Sequence, residues 1–131
     1  MLKILSASLD AEMSNELKRL DLSLGQFAVL MTLSETEGLT QSEIGKKITM
    51  PGYATTRTID ALEEKRYVER RKDDRSRRSY RIYLTERSRK IVPQLFTIVG
   101  SVNGRLLSVL SSKEQKELIA ILKKLVASRI G

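Results

Sequence analysis

Residues 65–84, KRYVERRKDDRSRRSYRIYL, decide the fold, because a helical period ends inside them and an alternating one takes its place. Tyr80, Ile82 and Leu84 fall on one face of a strand, with Ser79, Arg81 and Tyr83 on the other. Residues Tyr67 to Arg71 supply the partner strand. Between them, Lys72 to Arg78 is too polar to pack and rich in turn formers, so it reads as the tip of a β-hairpin. From Lys65 to Arg81 there are nine basic residues against three acidic ones, Glu69, Asp73 and Asp74, a net of +6 out of +8 for the whole chain. Charge concentrated on one hairpin points to an anionic partner in a way that a diffuse excess does not.

Upstream of the hairpin the period is helical. A helix over 52–66 would bury Thr55, Ile59 and Leu62 and direct Tyr53, Thr56, Arg57 and Asp60 elsewhere, with Pro51 suited to its first position. Thr40 and Glu43 form a capping box, which starts a short helix carrying Ile44 and Ile48. These two helices and their tight turn make a helix-turn-helix. Further back, Ser23 caps a helix with Leu24, Phe27, Leu30 and Met31 on one face and Gly38 as its stop. Leu2, Leu5, Leu9, Met13, Leu17 and Leu20 stripe a first amphipathic helix.

Downstream, Thr85 caps a long helix containing Ile91, Val92, Leu95, Ile98, Val99, Val102, Leu106 and Leu110, bent at Pro93. Ser111 and Glu114 form another capping box. The last helix shows Leu118, Ile119, Ile121, Leu122, Leu125 and Val126, a band wider than one neighbouring surface needs. The terminal helices therefore predict a homodimer. The expected fold is mainly α with a small β component, one domain over 1–131. Its lobe at 23–84 carries the helix-turn-helix and hairpin, and 1–20 with 85–131 form a helical dimerisation region.

The 131 residues are 40% hydrophobic and 31% charged, the balance of an ordinary folded domain. No apolar run approaches the ~20 residues of a membrane span, and Asp10 and Glu12 interrupt any signal-peptide core, so the reading is cytoplasmic with no membrane partner. The absence of cysteine and histidine removes disulfides, thiol switches, the commonest general base and nearly every nitrogen- or sulfur-ligated metal site. Neither a nucleophile elbow nor a phosphate-binding glycine loop is present. No enzyme activity, cofactor or metal is expected.

Three segments in order resemble the MarR family of prokaryotic transcription regulators: LSLGQFAVLMTLSETEGLTQSEIGKKI at 22–48, TTRTIDALEEKRYVERR at 55–71 and RIYLTERSRKI at 81–91. The resemblance covers essentially the whole chain. It implies a winged helix-turn-helix in which helix 52–66 is the recognition helix and hairpin 67–84 the wing. It also implies homodimeric binding to double-stranded DNA and a small-molecule effector between the dimer interface and the DNA-binding lobe. The sequence departs from the family pattern at Arg66, where a helix-ending glycine is usual, at Ser76, in place of the wing aspartate, and at Ser88, in place of another glycine.

On a duplex, Gly52, Tyr53, Thr56 and Arg57 would enter the major groove, with Arg57 able to pair bidentately with guanine. Arg75, Arg77 and Arg78 would reach a minor groove. Gln41 and Ser42, at a helix N-terminus, would donate to phosphate. Asp73 or Asp74 would supply the carboxylate that orients the wing. The alternative left open by such a fold is an interaction module that presents its basic hairpin to RNA or an acidic protein.

Overall fold

Serine and threonine set where the helices begin. In the computed structural model, which describes residues 1–130 and leaves the side chain of Arg77 outside the described set, four reciprocal boxes close helix N-termini. Gln26 N–H donates to Ser23 Oγ at 3.1 Å while Ser23 N–H donates back to Gln26 Oε1 at 3.1 Å. Thr40 with Glu43 and Ser111 with Glu114 repeat the exchange. At Thr85 the partner is the short Ser88, whose Oγ accepts from Thr85 N–H at 3.0 Å. Ser88 thus completes a cap where a glycine is usual.

The element order is α1 (Leu2–Leu17), a 3-10 turn (Lys18–Leu20), α2 (Leu24–Glu35), β1 (Leu39–Thr40), α3 (Gln41–Ile48), α4 (Gly52–Glu64), β2 (Val68–Asp73), β3 (Ser76–Leu84), α5 (Glu86–Leu107) and α6 (Ser112–Ile130). The expected mainly α fold with a small sheet is what forms. Its three strands run β1-β3-β2, all antiparallel, with Leu39 opposite Ile82 and Val68 opposite Leu84. Leu17, Val29, Leu30, Leu33, Ile44, Ile59, Leu62, Ile82 and Leu95 are fully buried and make one core shared by helices and sheet. The helix-turn-helix is therefore anchored from behind, leaving its outer surface for other work.

Three segments end in the same way, with a left-handed residue that is not glycine: Asp21 (φ 54°), Thr49 (φ 57°) and Arg66 (φ 64°). At the end of α4, Tyr67 N–H donates to Leu62 O at 2.9 Å and Arg66 N–H to Glu63 O at 3.0 Å, the paired bonds of a Schellman motif. Arg66 therefore keeps the geometry that glycine usually provides, at the steric cost an L-residue meets there.

Several expected boundaries move. α2 stops at Glu35, and Gly38, at φ +78°, instead turns the chain into β1, donating to Ile82 O at 2.9 Å. Pro51 is the residue before α4 rather than its first, because its extended ψ of 152° precedes the helix. α4 ends at Glu64, short of 66. Leu110 lies in the turn after α5, which ends at Leu107 and stays helical through Pro93. The largest correction concerns the hairpin. Strand pairing continues to Asp73 and resumes at Ser76, so the turn is only Asp74-Arg75, and residues 77 and 78 belong to β3. Lys72 and Arg78 are polar because they stand exposed on strands, not because they form a loop. Lys72 pairs with Tyr80 and Asp73 with Ser76, so the register shifts between Lys72 and Asp73 and the longer β3 bulges there.

α6 contains no buried residue, and Ile119, Ile121, Leu122, Leu125 and Val126 stand exposed, as do Leu2, Ile4 and Leu5 of α1. Among the described residues no single helix is long and apolar enough to cross a membrane.

Candidate nucleic-acid interface

α4 is seated by one threonine and one glycine. Thr55, 1% exposed, donates its hydroxyl to Pro51 O at 3.0 Å, and a Cβ added at Gly45 of α3 would stand 2.9 Å from that hydroxyl. Only glycine lets α3 and α4 approach so closely. With Thr55, Ile59 and Leu62 buried, two stripes of α4 remain outside. Tyr53, 72% exposed, and Arg57 form one stripe at i, i+4. Arg57 borders a cleft with Gln26, Ala54 and Thr58 and takes part in no ion pair among the described residues. Gly52, Thr56, Asp60 and Glu63 form the other stripe and face α3 and β2. Gly52 has open space where a side chain would be.

That second stripe is organised by a residue to which the sequence reading gave no role. Arg70 of β2, with its side chain 16% exposed, donates Nη2 to Asp60 Oδ1 at 2.6 Å, Nη1 to Glu63 Oε1 at 2.7 Å and Nε to Gln41 Oε1 at 3.0 Å. Gln41 Nε2 then donates to Thr56 Oγ1 at 3.0 Å, and Thr56 donates to Gly52 O at 3.0 Å. The strand, α3 and α4 are tied by one guanidinium. A signal for it existed, since Arg70 shares the face of the buried Val68 by the period of two, and acids at i, i+3 on the preceding helix await a cation.

The basic hairpin is divided in its duties. Lys65 is spent on the start of α2, bonding Asp21 O and Gln26 Oε1. Arg71 pairs with Glu69 and lies over the Tyr83 ring at 4.1 Å. Arg81, opposite Arg71, donates to Gly38 O at 2.7 Å and pairs with Asp73 at 3.4 Å. Lys72, Arg75 and Arg78 are exposed and form no ion pair among the described residues. The side chain of Arg77 lies outside the described residues.

Of the two candidate carboxylates, Asp73 accepts Arg75 N–H at 3.1 Å and reaches Arg81, while Asp74 is exposed in the turn. The Arg75 amide first, and Arg81 after it, hold the Asp73 carboxyl below its ordinary value. At the position of the family's aspartate, Ser76 Oγ accepts a long bond, 3.4 Å, from Arg78 N–H. Glu43 is likewise held below the usual carboxylate range by the Thr40 backbone amide and hydroxyl.

Gln41 and Ser42 line two adjoining clefts, one with Lys46, Gly52 and Thr56, the other with Arg78, Ser79 and Tyr80. Gln41, Ser42, Gly52, Thr56 and Arg78 thus line adjoining clefts, while Arg57 borders a separate one and Tyr53 and Arg75 line neither of the two. Gln41 and the exposed Thr56 are tied into the hydrogen-bond network of Arg70, and Ser42, Tyr53 and Arg78 are open to solvent.

Residues 22–80 match the model of the MarR family. An HTH-type transcriptional repressor of Mycobacterium tuberculosis is 30% identical over 119 residues, 91% of this chain and 86% of the repressor. The fold is similar to that of a MarR transcriptional regulator from Methanosarcina mazei, with a TM-score of 0.94 at 25% identity, covering 98% of this chain and 93% of that one. It is also similar to a mutant MarR from E. coli complexed with operator DNA, with a TM-score of 0.84 at 26% identity, covering 95% and 89%. On the sequence match, the extent of each chain covered and the agreement of fold, this chain belongs to the MarR family of transcriptional regulators.

Proposed function

We propose that the protein is a cytoplasmic regulator that binds double-stranded DNA sequence-specifically as a homodimer. In this reading residues 23–84 read the duplex, and 1–20 with 85–131 join two copies. The observation that carries it is the continuous surface from Gly52 through Gln41 and Ser42 to Arg78, flanked by exposed Tyr53 and Arg57 and by the exposed wing cations Lys72 and Arg75. Phosphate binding needs cations and N–H donors, and base reading needs exposed side chains on a helix. Arg57 and Tyr53 then read bases, Arg75, Arg77 and Arg78 engage the flanking minor groove, and Ser42 donates to phosphate. Two copies set their α4 helices one duplex turn apart, ~34 Å. Such a surface has the chemistry of a DNA reader, and the reading assigns no catalytic role. A small-molecule effector fits the cleft between α1 and α5 lined by Glu16, Arg19, Leu20, Gln94, Thr97 and Ile98.

Selection of bound duplexes from a random pool tests the proposal. It expects a pseudo-palindrome, with affinity falling by roughly 10³ or more between 50 and 200 mM salt. Undetectable duplex binding, salt-insensitive binding or preference for single-stranded RNA over duplex would overturn it.

A further inference from the structure

We propose that Arg70 is a positioning residue for DNA reading: it draws the Asp60 and Glu63 carboxylates off the duplex-facing side of α4, and so leaves Arg57 free for a base. The inference rests on the DNA-binding reading. Asp60 is three residues beyond Arg57, the spacing at which an acid and an arginine on a helix pair with each other. Instead its carboxylate is 2.6 Å from Arg70 Nη2, and Glu63 is taken by Nη1 of the same group at 2.7 Å. One guanidinium therefore neutralises two acids beside the helix that would meet phosphates.

The third donor gives the pairing direction. Nε bonds Gln41 Oε1, which turns the Gln41 amide nitrogen toward Thr56. Gln41 and Thr56 thereby have their polar groups engaged by protein partners at the surface, and base reading on α4 falls to Tyr53 and Arg57. The planar fork of arginine meets three acceptors on two helices from one strand, a set that the single ammonium of lysine cannot reproduce. The guanidinium is held at 16% exposure while the Asp60 and Glu63 side chains are 59% and 44% exposed, so the three bonds fix its position more than the charge pairing, which solvent screens, stabilises it.

The test uses the full chain and the duplex that wild type selects, with a scrambled duplex beside it. Arg70→Met should reduce the preference for the selected over the scrambled duplex by about tenfold. Adding Asp60→Asn and Glu63→Gln to Arg70→Met should recover part of that preference, because the uncovered acids no longer capture Arg57 or repel phosphate. A loss of folded protein lowers binding to both duplexes equally and leaves the ratio unchanged. If Arg70→Met does not fold, Arg70→Lys carries the same measurement, with a smaller loss of preference expected. An unchanged ratio in the folded variant, or no recovery on removing the acids, overturns the inference while leaving the DNA-binding reading intact. Failure of wild type to select any duplex overturns both.

Discussion

At the residue scale, the exposed arginines divide by what holds them. Arg57 projects from a rigid helix and Arg75 from a two-residue turn, so the first is suited to one base pair and the second to any backbone. Arg57→Ala is expected to relax preference at one position of each half-site, by ~1–3 kcal/mol of discrimination. Arg75→Ala should weaken binding to all duplexes alike and lower the slope of log affinity against log salt by about 1 per site. Parallel titrations on selected and scrambled duplexes separate the two. Arg66 makes a different prediction. Its φ of 64° costs an L-residue about 1–2 kcal/mol, partly offset by the entropy that glycine brings to the unfolded chain. Arg66→Gly should therefore raise the melting temperature by a few degrees, and a lowered value would show that the Arg66 side chain outweighs the strain. The hairpin's charge was plain in the sequence, but its partition was not. Whether a basic side chain bonds inward depends on acceptors brought from α2, α3 and α4, as with Arg70 and Lys65, and periodicity gives only the face.

At the scale of elements, caps were legible because they are local. Ser23, Thr40, Thr85 and Ser111 all begin helices, and each bonds a residue three along, a relation that the sequence contains entirely. Ends were less legible, since Gly38 serves a strand and three left-handed residues lack glycine. The hairpin turn is shorter than its polar composition suggests, because the solvent-exposed end of a strand pair need not alternate in hydrophobicity. One cap makes a pH prediction. Glu43 has its folded pKa lowered below the ordinary 4.5 by its bonds to Thr40. Its contribution to stability is thus fully present above 4.5 and lost as pH falls through the lower, folded value. Glutamine can make the same box without titrating. Glu43→Gln should leave stability at neutral pH nearly unchanged and flatten its decline below pH 4.5, as followed by denaturant melts across that range. An unaltered acid limb would place the titration elsewhere.

At the scale of the whole molecule, α6 poses the problem that a single chain leaves unsolved. Nineteen residues form it, none buried, and five large apolar side chains from Ile119 to Val126 meet solvent, as do Leu2, Ile4 and Leu5 at the start of α1. Each such side chain stabilises by ~1.5–3 kcal/mol when fully covered, so the helix gains its apolar stabilisation only from a second surface. Because α6 adds nothing to the shared core, a charge placed there should disturb association more than folding. Leu125→Glu is therefore expected to yield a folded monomer, with α2 to α5 melting cooperatively and sedimentation giving half the wild-type mass. Duplex affinity should fall steeply in the same variant, since one copy carries one α4 and loses the effective concentration that linkage gives the second half-site. A half-site duplex should then bind wild type and variant alike. A Leu125→Glu chain that sediments as wild type does would move the dimer contact away from α6, to α1 or the exposed Phe96 of α5.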